Sequence, residues 1–288
     1  MGLLSSMKKS IVITGASTGI GYDTSRLLIE KGYQVFGSVR TAEDGKRVQQ
    51  ELGEAFIPLL FDVTDYPAVD AAVKVVAEKV GANGLAGLVN NAGIAVAGPL
   101  LNLDIEEFKW QFEVNLFGLL VVTQKFLPLL GAQLDAPHSP GRIVNISSVS
   151  GRLSFPFFGA YAASKYGVEA VSDALRRELM VYGIDVIIIG PASVKTPIWN
   201  KRGGITDGKF LDSDYASNIG MLTEITRQGN EDGMPVERVS EAILTALTHP
   251  SPKTRYGLYN DVIQRIARFL PARFLDKQIA KQLKLNKR

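Results

Sequence analysis

Six short runs rich in β-branched residues alternate with longer amphipathic segments between residue 10 and about residue 190. No other feature of the chain restricts its fold as much. The runs are Ser10–Thr14, Gln34–Val39, Ala55–Phe61, Leu85–Asn90, Arg142–Ser147 and Asp185–Gly190. Between them Gly19–Lys31, Pro67–Val80, Ile105–Leu130 and Ala160–Tyr182 repeat apolar residues at helical spacing. A run such as Val186-Ile187-Ile188-Ile189 has no polar face, as expected of a strand covered on both sides. Strict strand–helix alternation predicts an α/β fold with a doubly wound parallel sheet and helices on both faces. A helix at Val236–Thr248 and a short strand at Thr254–Tyr259 complete a seven-stranded sheet. The 288 residues show no composition break, repeat or low-complexity linker, so 1–288 reads as one domain. Within it, 1–8 reads as flexible, 192–235 as a loop or lid over the site, and 260–288 as a C-terminal helical extension.

Composition removes several kinds of chemistry. There is no cysteine, which excludes disulfides, thiolate nucleophiles and cysteine-bound metal. His138 and His249 are the only histidines, so a multi-histidine metal site and most Ser-His-Asp schemes are excluded, and no metal is expected. Any acid or base must come from other side chains. The net charge is +3, but eight basic residues against Asp276 give Val262–Arg288 a charge of +7 and leave the rest at −4. A body of that sign is a poor match for nucleic acid. No apolar run approaches the roughly 18 residues of a membrane span, and no secretory signal is evident, so a cytoplasmic location is expected. Met1-Gly2 with Ser6 fits a minimal myristoylation pattern, and equally a short extension before a second start at Met7.

The first strand runs into Thr14-Gly15-Ala16-Ser17-Thr18-Gly19-Ile20-Gly21 and then directly into a helix. Glycines there allow a sharp turn and let phosphates approach a helix N-terminus. A tight turn with no ligand would need the same residues. The second strand ends in Val39-Arg40-Thr41 without the acid that bonds a ribose 2′-hydroxyl in NAD-binding sheets. Arg40 could pair with a 2′-phosphate or simply be a solvated arginine; the first reading favours NADP(H) over NAD(H).

Tyr161 and Lys165 are four residues apart, hence on one helix face, and an ammonium beside a phenol favours the phenolate. That pair supplies an acid/base without histidine. Upstream lie Asn145-Ile146-Ser147-Ser148-Val149-Ser150-Gly151, Asn90-Asn91-Ala92-Gly93 and Val114-Asn115-Leu116-Phe117-Gly118. Together with the glycine loop, in this order and spacing, these segments resemble the short-chain dehydrogenase/reductase family over about residues 10–196.

The resemblance implies a Rossmann-type domain and hydride transfer between a nicotinamide and a carbonyl or hydroxyl group. By that similarity Tyr161 exchanges the proton with the substrate oxygen, and Lys165 lowers the tyrosine pKa and holds the nicotinamide ribose. Ser148, thirteen residues before the tyrosine, binds the substrate oxygen, and Asn115 anchors a water relay to Lys165. Gly15, Ser17, Thr18, Gly19, Ile20 and Gly21 form the phosphate turn. Asn91, Ala92 and Gly93 line the adenine-ribose side, Asp62 and Val63 contact the adenine, and Pro191, Val194 and Thr196 face the carboxamide. Ala192 stands where the family usually has glycine. Read without the resemblance, Asn115 could mend a helix irregularity, and Asp62 could cap the helix that begins near Pro67.

Leu153, Phe155, Phe158 and Trp199, with the loop Ile198–Met221, suggest a lipophilic pocket, although they could equally be packing. The chain after residue 191 resembles the retinol and hydroxysteroid dehydrogenase branch. A steroid- or retinoid-like substrate is therefore expected, with a 3-oxoacyl thioester or a small ketone as the alternative, and a non-catalytic nucleotide-binding regulator as the other class. The family also implies a homodimer or homotetramer through the helices carrying Asn115 and Tyr161. In the tail, Ile263, Ile266, Ala267 and Leu270, with Arg265, Arg268 and Arg273 between, could lie on a membrane surface. The same helix could instead cover the pocket or a subunit interface.

Overall fold

A computed structural model describes residues 9–200, 209–267 and 269–285. Strands β1 (Ser10–Ile13), β2 (Gln34–Val39), β3 (Phe56–Leu60), β4 (Gly87–Asn90), β5 (Arg142–Ile146), β6 (Asp185–Pro191) and β7 (Arg255–Leu258) form one parallel sheet in the order β3-β2-β1-β4-β5-β6-β7. Sequence order reverses between β1 and β4, which opens a crevice beyond their carboxyl ends.

Burial on both faces explains the apolar strands. Ile11 and Ile13 enter a core under α1 (Gly19–Glu30), α2 (Ala42–Leu52) and α8 (Val236–Thr248). Val12, pointing the other way, joins a second core with α3 (Tyr66–Val80), α5 (Gly118–Phe126) and α6 (Gly159–Glu178). A buried polar ladder crosses that second face: the Asn90 amide donates to Thr123 Oγ1 at 2.9 Å and Asn145 Oδ1 at 2.8 Å, and the Asn145 amide donates to Ser172 Oγ at 2.8 Å.

Several elements differ from the expectation. Helix α2 was not foreseen because only Gly45 and Val48 of its eleven residues are buried; it starts where Thr41 Oγ1 accepts from the Asp44 amide. The expected helix over Ile105–Leu130 is α4 (Ile105–Phe112), a π-turn (Glu113–Phe117), α5 and a 3₁₀ turn (Leu127–Leu130). This stretch is long and apolar enough, by length and composition, to cross a bilayer, contrary to the reading from apolar runs. Its apolarity is accounted for by packing, since Val114, Leu119, Val122 and Phe126 are all buried. The segment 192–235 is not simply a loop: α7 (Ala216–Glu231) crosses it.

Helices α9 (Val262–Ala267) and α10 (Ala272–Leu283) end the chain on either side of Pro271. Leu283 joins Ala97, Phe157, Ile219 and Leu222 in a third apolar cluster, where the Phe157 and Tyr215 rings meet edge-on with centroids 5.5 Å apart. Phe157 takes a left-handed φ of 68°, a costly conformation for a bulky residue, and the Gly98 amide holds its carbonyl at 2.7 Å. The possible myristoylation site at Met1–Ser6 lies outside the described residues.

Candidate active site

The cleft beyond β1 and β4 is built from the glycine turn upward. Gly15 and Gly19 have φ of 66° and 58°, backbone that other residues rarely adopt. At Gly21 the constraint is space, because a Cβ there would lie 2.3 Å from the Gly15 carbonyl oxygen. Thr14 Oγ1 accepts from the Asn91 and Ala92 amides, both at 2.9 Å, and the Asn91 side chain donates to the Thr14 and Gly15 carbonyls. The end of β4 is thus pinned to the turn. Thr18 makes no side-chain cap and the first turn of α1 holds no acid, which leaves that helix end suited to an anion. A cradle of this shape and polarity fits the phosphates of a dinucleotide.

Of the nineteen catalytic and cofactor residues that the sequence singled out, all but Gly21 and Asn115 line this cleft. Gly15, Ser17, Thr18, Gly19, Ile20 and Arg40 line one end, with Asp62, Val63, Asn91, Ala92 and Gly93. Ser148, Tyr161, Lys165, Pro191, Val194 and Thr196 line the other. Arg40 is exposed and enters no ion pair among the described residues. Asp62 does not cap α3; that role falls to Asp65, which accepts from the Ala68 amide. Asp62 instead accepts from the Thr64 amide and hydroxyl at 3.0 and 2.8 Å.

Helix α6 brings Tyr161 and Lys165 into the cleft, both nearly buried. Lys165 Nζ donates to the Ile146 carbonyl at 2.8 Å and lies 5.8 Å from the Tyr161 ring centre. Burial lowers its pKa to about 8, against the opposing pull of Glu169 one turn along. Burial raises the Tyr161 phenol above its ordinary value, and a hydrogen bond with Ser148 works in the opposite direction. Both Ser147 and Ser148 line the cleft, and it is Ser148 that bonds the phenol, so geometry as well as spacing singles out Ser148.

Asn115 does not line the cleft. It sits in the π-turn, where its Oδ1 accepts from the Ile94 amide at 2.9 Å and its amide donates to Ile94 O at 3.1 Å and Ser164 Oγ at 3.2 Å. It does stand at a helix irregularity, and it also ties the cleft wall to α6. Gln111 grips the same wall: its amide donates to Ile94 O and its Oε1 accepts from the Val96 amide. Its spacing one turn before Asn115 was the available signal of this in the sequence. Trp110, Val114, Ile146 and Val149 also line the cleft and were not anticipated, because each reads as ordinary core.

The pocket candidates are placed elsewhere. Phe155 lines a second cavity with Leu100, Phe157, Tyr166 and Ile279. Phe158 packs on the third apolar cluster, and Leu153 lines neither cavity. Ile198 reaches the main cleft, whereas the Trp199 side chain lies outside the described residues.

A family model for short chain dehydrogenase matches residues 9–204. This chain belongs to the short-chain dehydrogenase/reductase family. As a member, it is an NAD(P)-dependent oxidoreductase acting on CH–OH or carbonyl groups. Its curated relatives include an NADPH-dependent 3-dehydrocapnine reductase of Ornithobacterium rhinotracheale, 43% identical over 95% of this chain and 96% of that protein. Retinol dehydrogenase 16 of Mus musculus is 34% identical over 86% of this chain and 80% of the relative. Among solved structures, a short-chain dehydrogenase from Streptomyces avermitilis superposes with a TM-score of 0.77 at 26% identity, covering 97% of this chain and 98% of the other. That likeness shows that the seven-stranded dehydrogenase fold is shared.

Proposed function

We propose that this dehydrogenase reduces a carbonyl group on a lipophilic molecule with NADPH. The observation that carries the reading is that one cleft runs from an uncapped glycine turn with Arg40 beside it to Tyr161, Ser148 and Lys165. The glycine turn and the N-terminus of α1 would hold the pyrophosphate, Arg40 the 2′-phosphate, and Lys165 the nicotinamide ribose. When bound, the nicotinamide supplies the hydride.

The chain's own residues manage the proton. Ser148, hydrogen-bonded to the Tyr161 phenol, is placed to donate to a carbonyl oxygen that lies between them. The phenol gives its proton to that oxygen as the alcohol forms. Burial raises its pKa, which keeps it protonated and ready to act as an acid, and an ammonium on the same helix face would favour the phenolate left behind. In oxidation the same groups act in reverse.

The lipophilic reading is supported by the likeness to retinol dehydrogenase 16 and by Ile198, Trp110 and Val114, apolar residues that line the cleft. Likeness to the 3-dehydrocapnine reductase supports NADPH and puts 3-dehydrocapnine first among trial substrates. Absorbance of NADPH should fall with 3-dehydrocapnine, retinal or ketosteroids, and not with Tyr161→Phe as enzyme. Turnover confined to small soluble ketones would overturn the lipophilic assignment.

A further inference from the structure

The last helices expose large apolar side chains to solvent. Val262, Ile266, Phe269 and Phe274 are 71%, 47%, 72% and 50% exposed. Val262 and Ile266 are one turn apart on α9, and hydrogen bonds from the Phe269 amide to Ile266 O and from the Phe274 amide to Pro271 O continue the path in tight turns. Four large apolar side chains within thirteen residues exceed the scattered exposure usual on a soluble surface. This stretch is not a loose tail, for α10 is anchored from within by buried Leu283, whose carbonyl accepts from the Asn218 side chain.

Charge indicates the occupant. Arg265, Arg273, Lys277 and Lys281 are exposed along the same stretch, and none enters an ion pair among the described residues. The acids within it are Asp261 and Asp276. Apolar side chains interleaved with unpaired cations match an anionic lipid surface, where acyl chains receive the former and phosphates the latter. The stretch also begins beside the cleft: the Asn260 side chain, two residues before Val262, donates to the carbonyl of cleft-lining Ser193 at 3.4 Å.

We propose that α9, α10 and the turn between them form a docking surface for anionic membrane lipid, holding the cleft close to the bilayer. The lipophilic-substrate reading supplies a use for this surface but none of its evidence.

The test is flotation of the full chain with vesicles of phosphatidylcholine alone and of phosphatidylcholine doped with phosphatidylglycerol, scored without turnover. The protein should rise with the anionic vesicles, far less with the neutral ones, and be released by added salt. Each basic residue at such a surface is worth about fivefold in partitioning, so Arg265→Gln with Arg273→Gln should lower it on the order of 10- to 30-fold. Val262→Ser with Ile266→Ser and Phe274→Ser should also detach it. Both variants should keep the wild-type melting temperature and turnover of a soluble ketone. No flotation with either vesicle, or variants that float like wild type, would overturn the proposal. So would a dimer that the apolar variant splits, since a second copy would then be what covers these side chains. Failure to reduce lipophilic carbonyl compounds would overturn only the substrate reading.

Discussion

Glu169 on α6 and Arg255 on β7 form an ion pair at 3.0 Å, with only about a tenth of either side chain exposed. Glu169 is one helical turn beyond Lys165, and its carboxylate also receives Arg152 at 3.1 Å. Arg255 Nη2 reaches towards the Ser148 carbonyl at 3.5 Å. The last strand is therefore tied to the catalytic loop and to the catalytic helix at a single point. Two of the following predictions come from this junction.

Lys165 is the group whose charge should set the alkaline limit of reduction. Its pKa is lowered to about 8 by burial, and the negative charge of Glu169 raises it. Above that pH the lysine is neutral and no longer favours the phenolate, so kcat/KM for ketone reduction should fall as pH rises through about 8. Glu169→Gln removes the raising influence. The descending limb should then move to lower pH, and pH–rate profiles of the two proteins check it. An unmoved limb would separate Glu169 from Lys165.

Arg255→Met should leave the carboxylate of Glu169 with Arg152 as its remaining partner. Breaking a buried pair from one side typically costs about 3–5 kcal/mol, and the surviving Arg152 contact puts the expected loss near the lower end. Urea unfolding measures it. A loss below ~1 kcal/mol would show that the junction contributes little.

Tyr161→Phe keeps the ring and removes the proton. Turnover should drop by roughly 10²–10⁴-fold, the usual scale for a lost general acid. NADPH affinity, followed by fluorescence titration, should stay within a few-fold. Loss of binding on the same scale as turnover would mean that the hydroxyl is structural.

Arg40→Asp should reverse the nucleotide preference. A charge-assisted hydrogen bond contributes about 1.5–3 kcal/mol, so the ratio of kcat/KM with NADPH to that with NADH should fall roughly 10- to 100-fold or more. An unchanged ratio would make Arg40 a bystander at the cleft edge.

Gly21→Ala places a methyl group 2.3 Å from Gly15 O and 2.5 Å from Asn91 Nδ2. Overpacking of this kind costs about 1–3 kcal/mol, and here the yielding part is the phosphate turn itself. Both the melting temperature and NADPH affinity should fall. A normal Kd with a lowered Tm would place the strain in α1 instead.

What the sequence by itself determined is the part of the molecule written in consecutive residues. Ile11-Val12-Ile13 and Val186–Ile189 announce strands covered on both faces, and Thr14–Gly21 announces a turn whose glycines admit little else. Tyr161 and Lys165 share a helix face at any packing, because their spacing is one turn. Relationships across the chain needed the folded sheet. Glu169 and Arg255 are 86 residues apart and look like ordinary surface charges until β7 pairs with β6 beside α6. The cluster of Phe157, Tyr215 and Leu283 draws on three segments, and no local pattern marks these aromatics as packing rather than pocket. Asn115 is the intermediate case. Its motif was readable, but its grip on Ile94 and Ser164 is made from a π-turn between α4 and α5 and reaches segments 21 and 49 residues away. Local spacing dictates which side chains share a face, and packing alone decides what that face meets.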